Sequence, residues 1–199
     1  MKLTTDNRLK NALVDQLIST PIEKIRVGEI SDQSNVSRVT FYKHYLNKED
    51  LLDSLLEDYF RGLDKVYVDN VKILMHTDFS DINQIKNDLL PNAKSITSYF
   101  YDNRKIITAL MSPNSGIDFL KIQYNAFYKQ FHEWLPQKFL INYDPKTLNE
   151  YCDYLTRGSA LILGTWFRKN FEQTPDEIAE ILINVLSPSF HNLYHKNHL

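Results

Sequence analysis

Apolar residues recur three and four positions apart along most of this chain, and no stretch alternates with the two-residue period of a strand. Leu9, Ala12, Leu13, Leu17 and Ile18 predict a first helix from Asp6 to Ser19, closed by Thr20-Pro21. A long amphipathic helix is expected from Asn47 to about Asn70, with a polar break over His76 to Ser80. Asp81 to Leu90 and Asn92 to Tyr101 are helical on either side of Pro91, which either kinks one helix or separates two. Ile106 to Met111 makes a short helix before Ser112-Pro113. Three long helices follow, the first two over Ser115 to about Phe139 and Pro145 to Phe171. The third is opened by Thr174-Pro175-Asp176-Glu177, a capping box with Pro at the first helical position, and should stop at Ser187-Pro188. The pattern predicts an all-α fold, with an N-terminal three-helix domain ahead of a C-terminal helical bundle.

Between Arg26 and Leu52 the chain reads RVGEISDQSNVSRVTFYKHYLNKEDLL. Ile30 and Val36 are apolar among Glu29, Asp32, Gln33 and Ser34, as in a short helix with one buried side. Asn35 falls where that helix must reverse, a left-handed position that Asn tolerates well. Ser37 is suited to cap the next helix, with Val36 and Phe41 as its hydrophobic staple. Phe41 and Tyr45, four apart, then share the buried face, leaving Arg38, Val39, Tyr42 and Lys43 outward. Asn47 caps the following helix, with Glu49 and Asp50 in its first turn. Two short helices and a tight turn, presenting Arg, Thr, Tyr, Lys and His, suit phosphates and base edges in a major groove. A three-helix packing unit that never meets nucleic acid would explain Phe41 and Tyr45 equally well. It would not explain Tyr42 exposed beside Lys43 and His44.

These residues resemble the TetR family of bacterial regulators. Val27, Ile30, Val36, Ser37, Thr40, Phe41, Tyr42, His44, Tyr45, Lys48, Glu49, Leu51 and Leu52 meet the family's ordered pattern. The variant S-R-x-T-F-Y-x-H-Y looks most like a branch that includes regulators of dihydroxyacetone kinase operons. Asn35 replaces the usual Gly before Val-Ser, and Val39 replaces a small residue; both are sterically tolerable. The resemblance implies a helix-turn-helix core over residues 1–46, a family-style domain over about 6–66, and a C-terminal ligand-binding and dimerisation domain over 47–199. It places Arg38, Val39 and Tyr42 near base edges, and Val27, Thr40, Lys43, His44 and Lys48 against phosphates, with Ser37 at the head of the reading helix. Gly28 stands where relatives often carry a base-reading side chain. Arg38 is the candidate for direct readout, since a guanidinium can bond guanine at both N7 and O6; a nonspecific phosphate contact is its plainer role.

Charge first looks wrong for such a role. The 199 residues carry a formal net charge of −2. Residues 1–48, however, hold eight basic and five acidic side chains, while 49–66 hold two basic and six acidic. Positive charge is thus concentrated at the end expected to face phosphate. A hydrophobic content of 43% and charged content of 24% suit a globular chain. No segment has the apolar length of a membrane span, and MKLTTDNRLK does not read as a signal peptide. The one cysteine, Cys152, fits a reducing cytoplasm and reads as packing more readily than as a redox sensor.

Tyr99, Phe100, Tyr124, Phe127, Tyr128, Phe131, Trp134 and Trp166 could line a pocket for a small apolar or aromatic effector, although helical spacing alone predicts them as core. His191, His195 and His198 have a spacing that a helix could aim at one metal, but no Cys or carboxylate cluster supports them, and a frayed tail is the simpler reading. No metal or cofactor is expected. An enzyme lacks its signs: there is no Gly-rich phosphate loop, nucleophile elbow or His-Glu metal motif, and Asp118, His132 and Glu133 form no recognisable set. The expected protein is a cytoplasmic repressor, binding a palindromic operator as a homodimer because one reading helix spans few base pairs. The rival is an activator or co-regulator whose C-terminal domain binds a partner protein. Gly158, Ser159, Ala160 and Gly164 let helices approach closely, so the last two helices should pair with their copies as a four-helix bundle.

Overall fold

Nine α-helices and two short 3-10 turns account for most of the residues described by the computed structural model, which are 3–139 and 143–195, with side chains described outside 68–72. There is no strand among them. The chain divides into two compact units, Met1–Gly62 with Asn103–Phe119, and Leu63–Asp102 with Leu120–Leu199. The first unit includes part of the long fourth helix and a segment distant in sequence.

In the first unit α1 spans Thr5–Leu17, capped by the Thr4 hydroxyl accepting from Asn7 N at 3.2 Å. Its face of Leu9, Leu13 and Leu17 is fully buried. Helices α2 (Val27–Ser34) and α3 (Arg38–His44) follow, then α4 (Lys48–His76). Residues 103–119 supply α6 (Arg104–Met111) and the turn Pro113–Ser115. They are tied to α1 by the Asn114 amide donating to the Leu17 carbonyl at 3.1 Å and by an ion pair between Lys105 and Asp15.

A buried ammonium holds this unit together. Lys10 is 6% exposed and pairs with Asp6 at 3.0 Å and with Asp58 on α4. The Tyr45 hydroxyl also donates to Asp6. Burial would raise the Asp6 carboxyl, but the hydrogen bonds from Tyr45 and Lys10 outweigh it and set it below the usual carboxylate value. Burial alone would lower the Lys10 ammonium, and its two carboxylate partners instead raise it.

The second unit contains the Leu63-onward part of α4, α5 (Ile82–Asp102), α7 (Phe119–Phe139, from Leu120), α8 (Pro145–Arg168) and α9 (Pro175–His195). Its core joins Phe79, Ile85, Leu89, Trp134, Phe139, Leu148, Cys152, Ile183 and Phe190. Phe79 packs edge-on to Phe139 and Phe190, at 5.3 and 5.8 Å between ring centres. Cys152 is buried, and burial pushes its thiol up to about 11, which suits packing.

Several boundaries differ from expectation. Helix α4 runs on to His76, and the expected polar break buries Phe79. Helix α5 is a single helix, with Pro91 on its exposed side, where water can serve the carbonyl that the ring leaves free. Helix α7 starts at Phe119, because Ser115 belongs to the preceding turn. Helix α8 ends at Arg168, and Asn170 and Phe171 then turn at φ 54° and 58°. Phe171 holds that left-handed conformation with its ring buried against Trp166, 4.9 Å away. The capping box of α9 is formed, Thr174 N donating to Glu177 Oε2 at 2.7 Å and Glu177 N to Thr174 Oγ1 at 3.3 Å.

Pro188 does not stop α9. The apolar face continues through buried Phe190 and Leu193, and Tyr143 donates to the Leu193 carbonyl at 2.8 Å. Burial of that turn outweighs the one missing backbone bond. His191 and His195 are fastened rather than frayed, their ring nitrogens 3.2 Å from the Phe79 and Ser80 carbonyls. His198 lies outside the described residues.

Candidate nucleic-acid interface and interior cavity

Helix α2 ends because Asn35 turns left-handed at φ 51°, ψ 45°, letting Val36 N donate back to the Ser31 carbonyl at 3.0 Å. Ser37 then starts α3, its hydroxyl accepting from Thr40 N at 3.1 Å. Phe41 and Tyr45 plug the inner face, with ring centres 5.9 Å apart. Arg8 of α1 clamps the turn by donating to the Asn35 carbonyl at 3.2 Å. Asn47 Oδ1 accepts from Asp50 N at 2.8 Å, and Asp50 accepts from Leu46 N at 2.8 Å, so α4 starts where α3 releases the chain.

With the backbone pinned on both sides, α3 turns a continuous surface outward. Ser37, Arg38, Val39, Tyr42, Lys43 and His44 are exposed, Val39 at 69% and Tyr42 at 58%. Thr40 is half-buried and hydrogen-bonds the Ser37 hydroxyl at 2.8 Å. Val27 and Gly28 are half-buried at the start of α2. A surface groove of about 520 Å³ lies beside them, lined by Arg26, Val27, Gly28, Arg38, Tyr42 and Lys48 among others. Arg38 folds its guanidinium over Gly28, into space that a methyl group there would occupy.

Lys48 differs from the other cations in this set. Its ammonium donates to the carbonyls of Glu23 and Ile25 at 3.0 and 2.9 Å, and its side chain is 16% exposed. It anchors the segment between α1 and α2. Arg26 and Leu46, exposed on the same stretch and Leu46 at 82%, were not singled out by the motif. Leu46 carries no polar signal, so only its exposure marks it.

In the second unit a cavity of about 130 Å³ opens among α4, α5, α7, α8 and α9. Of the eight rings expected in a pocket, Phe127, Phe131 and Trp134 line it. Phe100 is core against Phe127 and Phe167, and Trp166 is core with its Nε1 donating to the Gln173 carbonyl at 2.9 Å. Tyr124 lies under Arg157 in a separate groove, Tyr128 is exposed and stacked on His132, and Tyr99 is half-buried outside the cavity lining. The cavity also has lining residues that spacing could not reveal, among them Tyr67, Asn92 and Ser159. Burial, with Asp64 nearby, holds the Tyr67 phenol well above its usual value, so it stays protonated.

Fold and surface together define an all-helical regulator with a helix-turn-helix head. The description of a TetR-type transcriptional regulator C-terminal region matches residues 87–188. The chain belongs to the TetR family of transcriptional regulators. It is 22% identical over 189 residues to the uncharacterized HTH-type transcriptional regulator YxbF of Bacillus subtilis, covering 94% of this chain. The chain spans about half, 46%, of the length of that curated relative. Similar folds include the fatty acid degradation regulator FadR of Bacillus halodurans (TM-score 0.63, 17% identity, 94% of this chain and 96% of that one). Another is the dihydroxyacetone kinase operon activator DhaS (TM-score 0.56, 19% identity, 93% and 95%). A third is a TerR/AcrR-family transcriptional regulator of Aquifex aeolicus (TM-score 0.60, 17% identity, 92% and 98%). No described helix is long and apolar enough to cross a membrane.

Proposed function

We propose that this chain is a DNA-binding repressor of the cytoplasm, holding two copies of α3 in successive major grooves of a palindromic operator. The observation that carries the reading is the outward face of α3, where Arg38, Tyr42, Lys43 and His44 stand exposed on a helix locked by Phe41 and Tyr45. Arg38, Val39 and Tyr42 meet base edges, and Val27, Ser37, Thr40, Lys43 and His44 position the backbone, with Gly28 at its edge. Lys48 supports the head from behind.

Two copies are joined through α8 and α9. Tyr154 and Leu161 on α8 are 57% and 65% exposed, and Ile181 and Val185 on α9 are 41% and 42% exposed. Residues 154, 158 and 161 fall on one helical stripe, and Gly158 has open space over its backbone. Such a face suits close approach of a second copy. An effector in the second unit's cavity then shifts operator occupancy by binding one arrangement of the two heads better than the other.

Selection of bound fragments from random DNA by the purified chain tests this. Recovered sites should be palindromic, affinity should fall linearly with log salt, and the bound species should have twice the chain mass. No binding at low salt, or a monomer at micromolar concentration, would overturn it. A second reading makes the chain an activator that answers to a partner protein. It is favoured by the small cavity, below the several hundred Å³ usual for ligand sites, and by the activator role of the similar dihydroxyacetone kinase operon regulator DhaS. Occupancy that responds to an added protein but to no small molecule would favour it.

A further inference from the structure

The cavity in the second unit is lined mainly by apolar side chains, yet three polar atoms on its lining residues have no hydrogen-bond partner in the protein. They are the Tyr67 hydroxyl, the Asn92 Nδ2 and the Ser159 hydroxyl, from α4, α5 and α8. Tyr67 and Ser159 are each only 7% exposed. Leaving such groups without a partner is destabilising. Other buried hydroxyls nearby are satisfied within their own helices: Thr156 donates to the Cys152 carbonyl at 2.7 Å and Ser187 to the Ile183 carbonyl at 2.7 Å. Ser159 lies on the same helix as Thr156 and does not do this.

We propose that this cavity takes a small, uncharged ligand with an apolar body and a single oxygen-bearing head, the head being read by Tyr67, Asn92 and Ser159. The proposal rests on the effector reading above and adds the chemical class of the effector. Three features of the lining set that class. All three polar groups can donate to an oxygen, and both hydroxyls can also accept, so a ligand hydroxyl, accepting twice and donating once, can satisfy all three, and a carbonyl two of them. None of the described lining residues carries a charge, so an ionised carboxylate, phosphate or amine would be buried without a counter-ion, which is strongly unfavourable. The volume of about 130 Å³ fits a body of roughly one six-membered ring, since an apolar cavity of about 150 Å³ accommodates benzene. Phe127, Phe131 and Trp134 provide the apolar wall against which that body lies.

One-ring probes test this in the full chain at neutral pH: phenol, benzene and benzoate, with neutral benzamide controlling for the larger size of benzoate. Binding is followed by titration calorimetry and by the fluorescence of Trp134, with Trp166 in its core site as background. Phenol should bind on the order of tenfold more tightly than benzene, and benzoate should bind most weakly. In the Tyr67→Phe, Ser159→Ala double variant the phenol preference should fall, Asn92 alone remaining to read the head, while retained benzene binding shows that the cavity is intact. Benzoate or benzene equalling phenol in the native chain would overturn the proposal, as would a phenol preference undiminished in the double variant or no binding by any probe. Operator affinity is measured in parallel. Phenol preference with unmoved operator affinity supports the site and refutes its coupling to the reading heads. Absence of DNA binding at every salt concentration refutes the regulator reading and leaves the ligand result to stand by itself.

Discussion

The polar cluster that marks each unit is buried in the opposite way, although the first unit also holds a buried hydroxyl without a partner, that of Ser31. The first buries a charge, Lys10, and surrounds it with partners: Asp6, Asp58 and, through Asp6, the Tyr45 hydroxyl. The second buries neutral groups, Tyr67, Asn92 and Ser159, and leaves one atom of each unpaired at a cavity. A paired charge fixes geometry, as a reading head requires. Unpaired neutral groups weaken the bundle locally and keep a polar position open for something else to fill.

The largest expected effect comes from breaking the paired charge. Lys10→Met should destabilise the first unit by about 3 kcal/mol, since it removes the buried charge that Asp6 and Asp58 share and leaves them only the Tyr45 hydroxyl and Arg61. The cost stays at the lower end because Asp6 and Asp58 keep contact with water, at 35% and 41% side-chain exposure. The same variant should flatten the acid limb of stability. Asp6 is set below its ordinary value of 3.8, so its contribution is present above that pH and is lost as pH falls through the lowered folded value. Thermal melts from pH 7 to pH 2 check both; an unchanged acid limb would show that the network contributes nothing.

Next in size is the reading face. Arg38→Ala should cost about 1–3 kcal/mol on the matched operator and relax preference at one base pair per half-site. Lys43→Ala should weaken all sequences alike and reduce the salt slope by about one. Uniform losses from both variants would reduce Arg38 to a phosphate contact. Lys48→Met should behave differently from either, lowering stability by about 1.5 kcal/mol through the lost Glu23 and Ile25 carbonyl bonds and leaving the salt slope unchanged. A reduced slope would return Lys48 to the phosphate set.

The smallest effect carries the opposite sign. Ser159→Ala and Tyr67→Phe should each raise stability of the ligand-free chain by about 1 kcal/mol, because each removes an orphaned hydroxyl rather than a bond. A loss in either would mean the hydroxyl is satisfied, and the contrast between the units would fail there.

The head was readable because its determinants are local. The Asn35 turn, the Ser37 cap and the Phe41–Tyr45 pair act across a few residues, so spacing alone shows them. The carbonyl partners of Lys48 were not legible, because local pattern is blind to distant groups: Glu23 and Ile25 lie more than 20 positions away. Pro188 likewise reads as a stop until Tyr143 and the loop carbonyls at Phe79 and Ser80 are seen to hold the last turn. The cavity was the least legible feature. Ring density along one helix marked Phe127, Phe131 and Trp134, but Tyr67, Asn92 and Ser159 come from three helices and share no spacing. Only packing brings them to one lining.

Gly28 makes the reading face a linked pair of positions. The Arg38 guanidinium occupies the space over Gly28, and any side chain at 28 would displace it. Since that guanidinium is the flexible end of a long side chain, Gly28→Ala would unfold nothing and would simply swing Arg38 elsewhere. In the proposed reading, a lineage drifting toward a new operator therefore alters the contact at 38 whenever it adds one at 28. Its shortest route passes through both positions together, and single changes at either should be caught between two specificities.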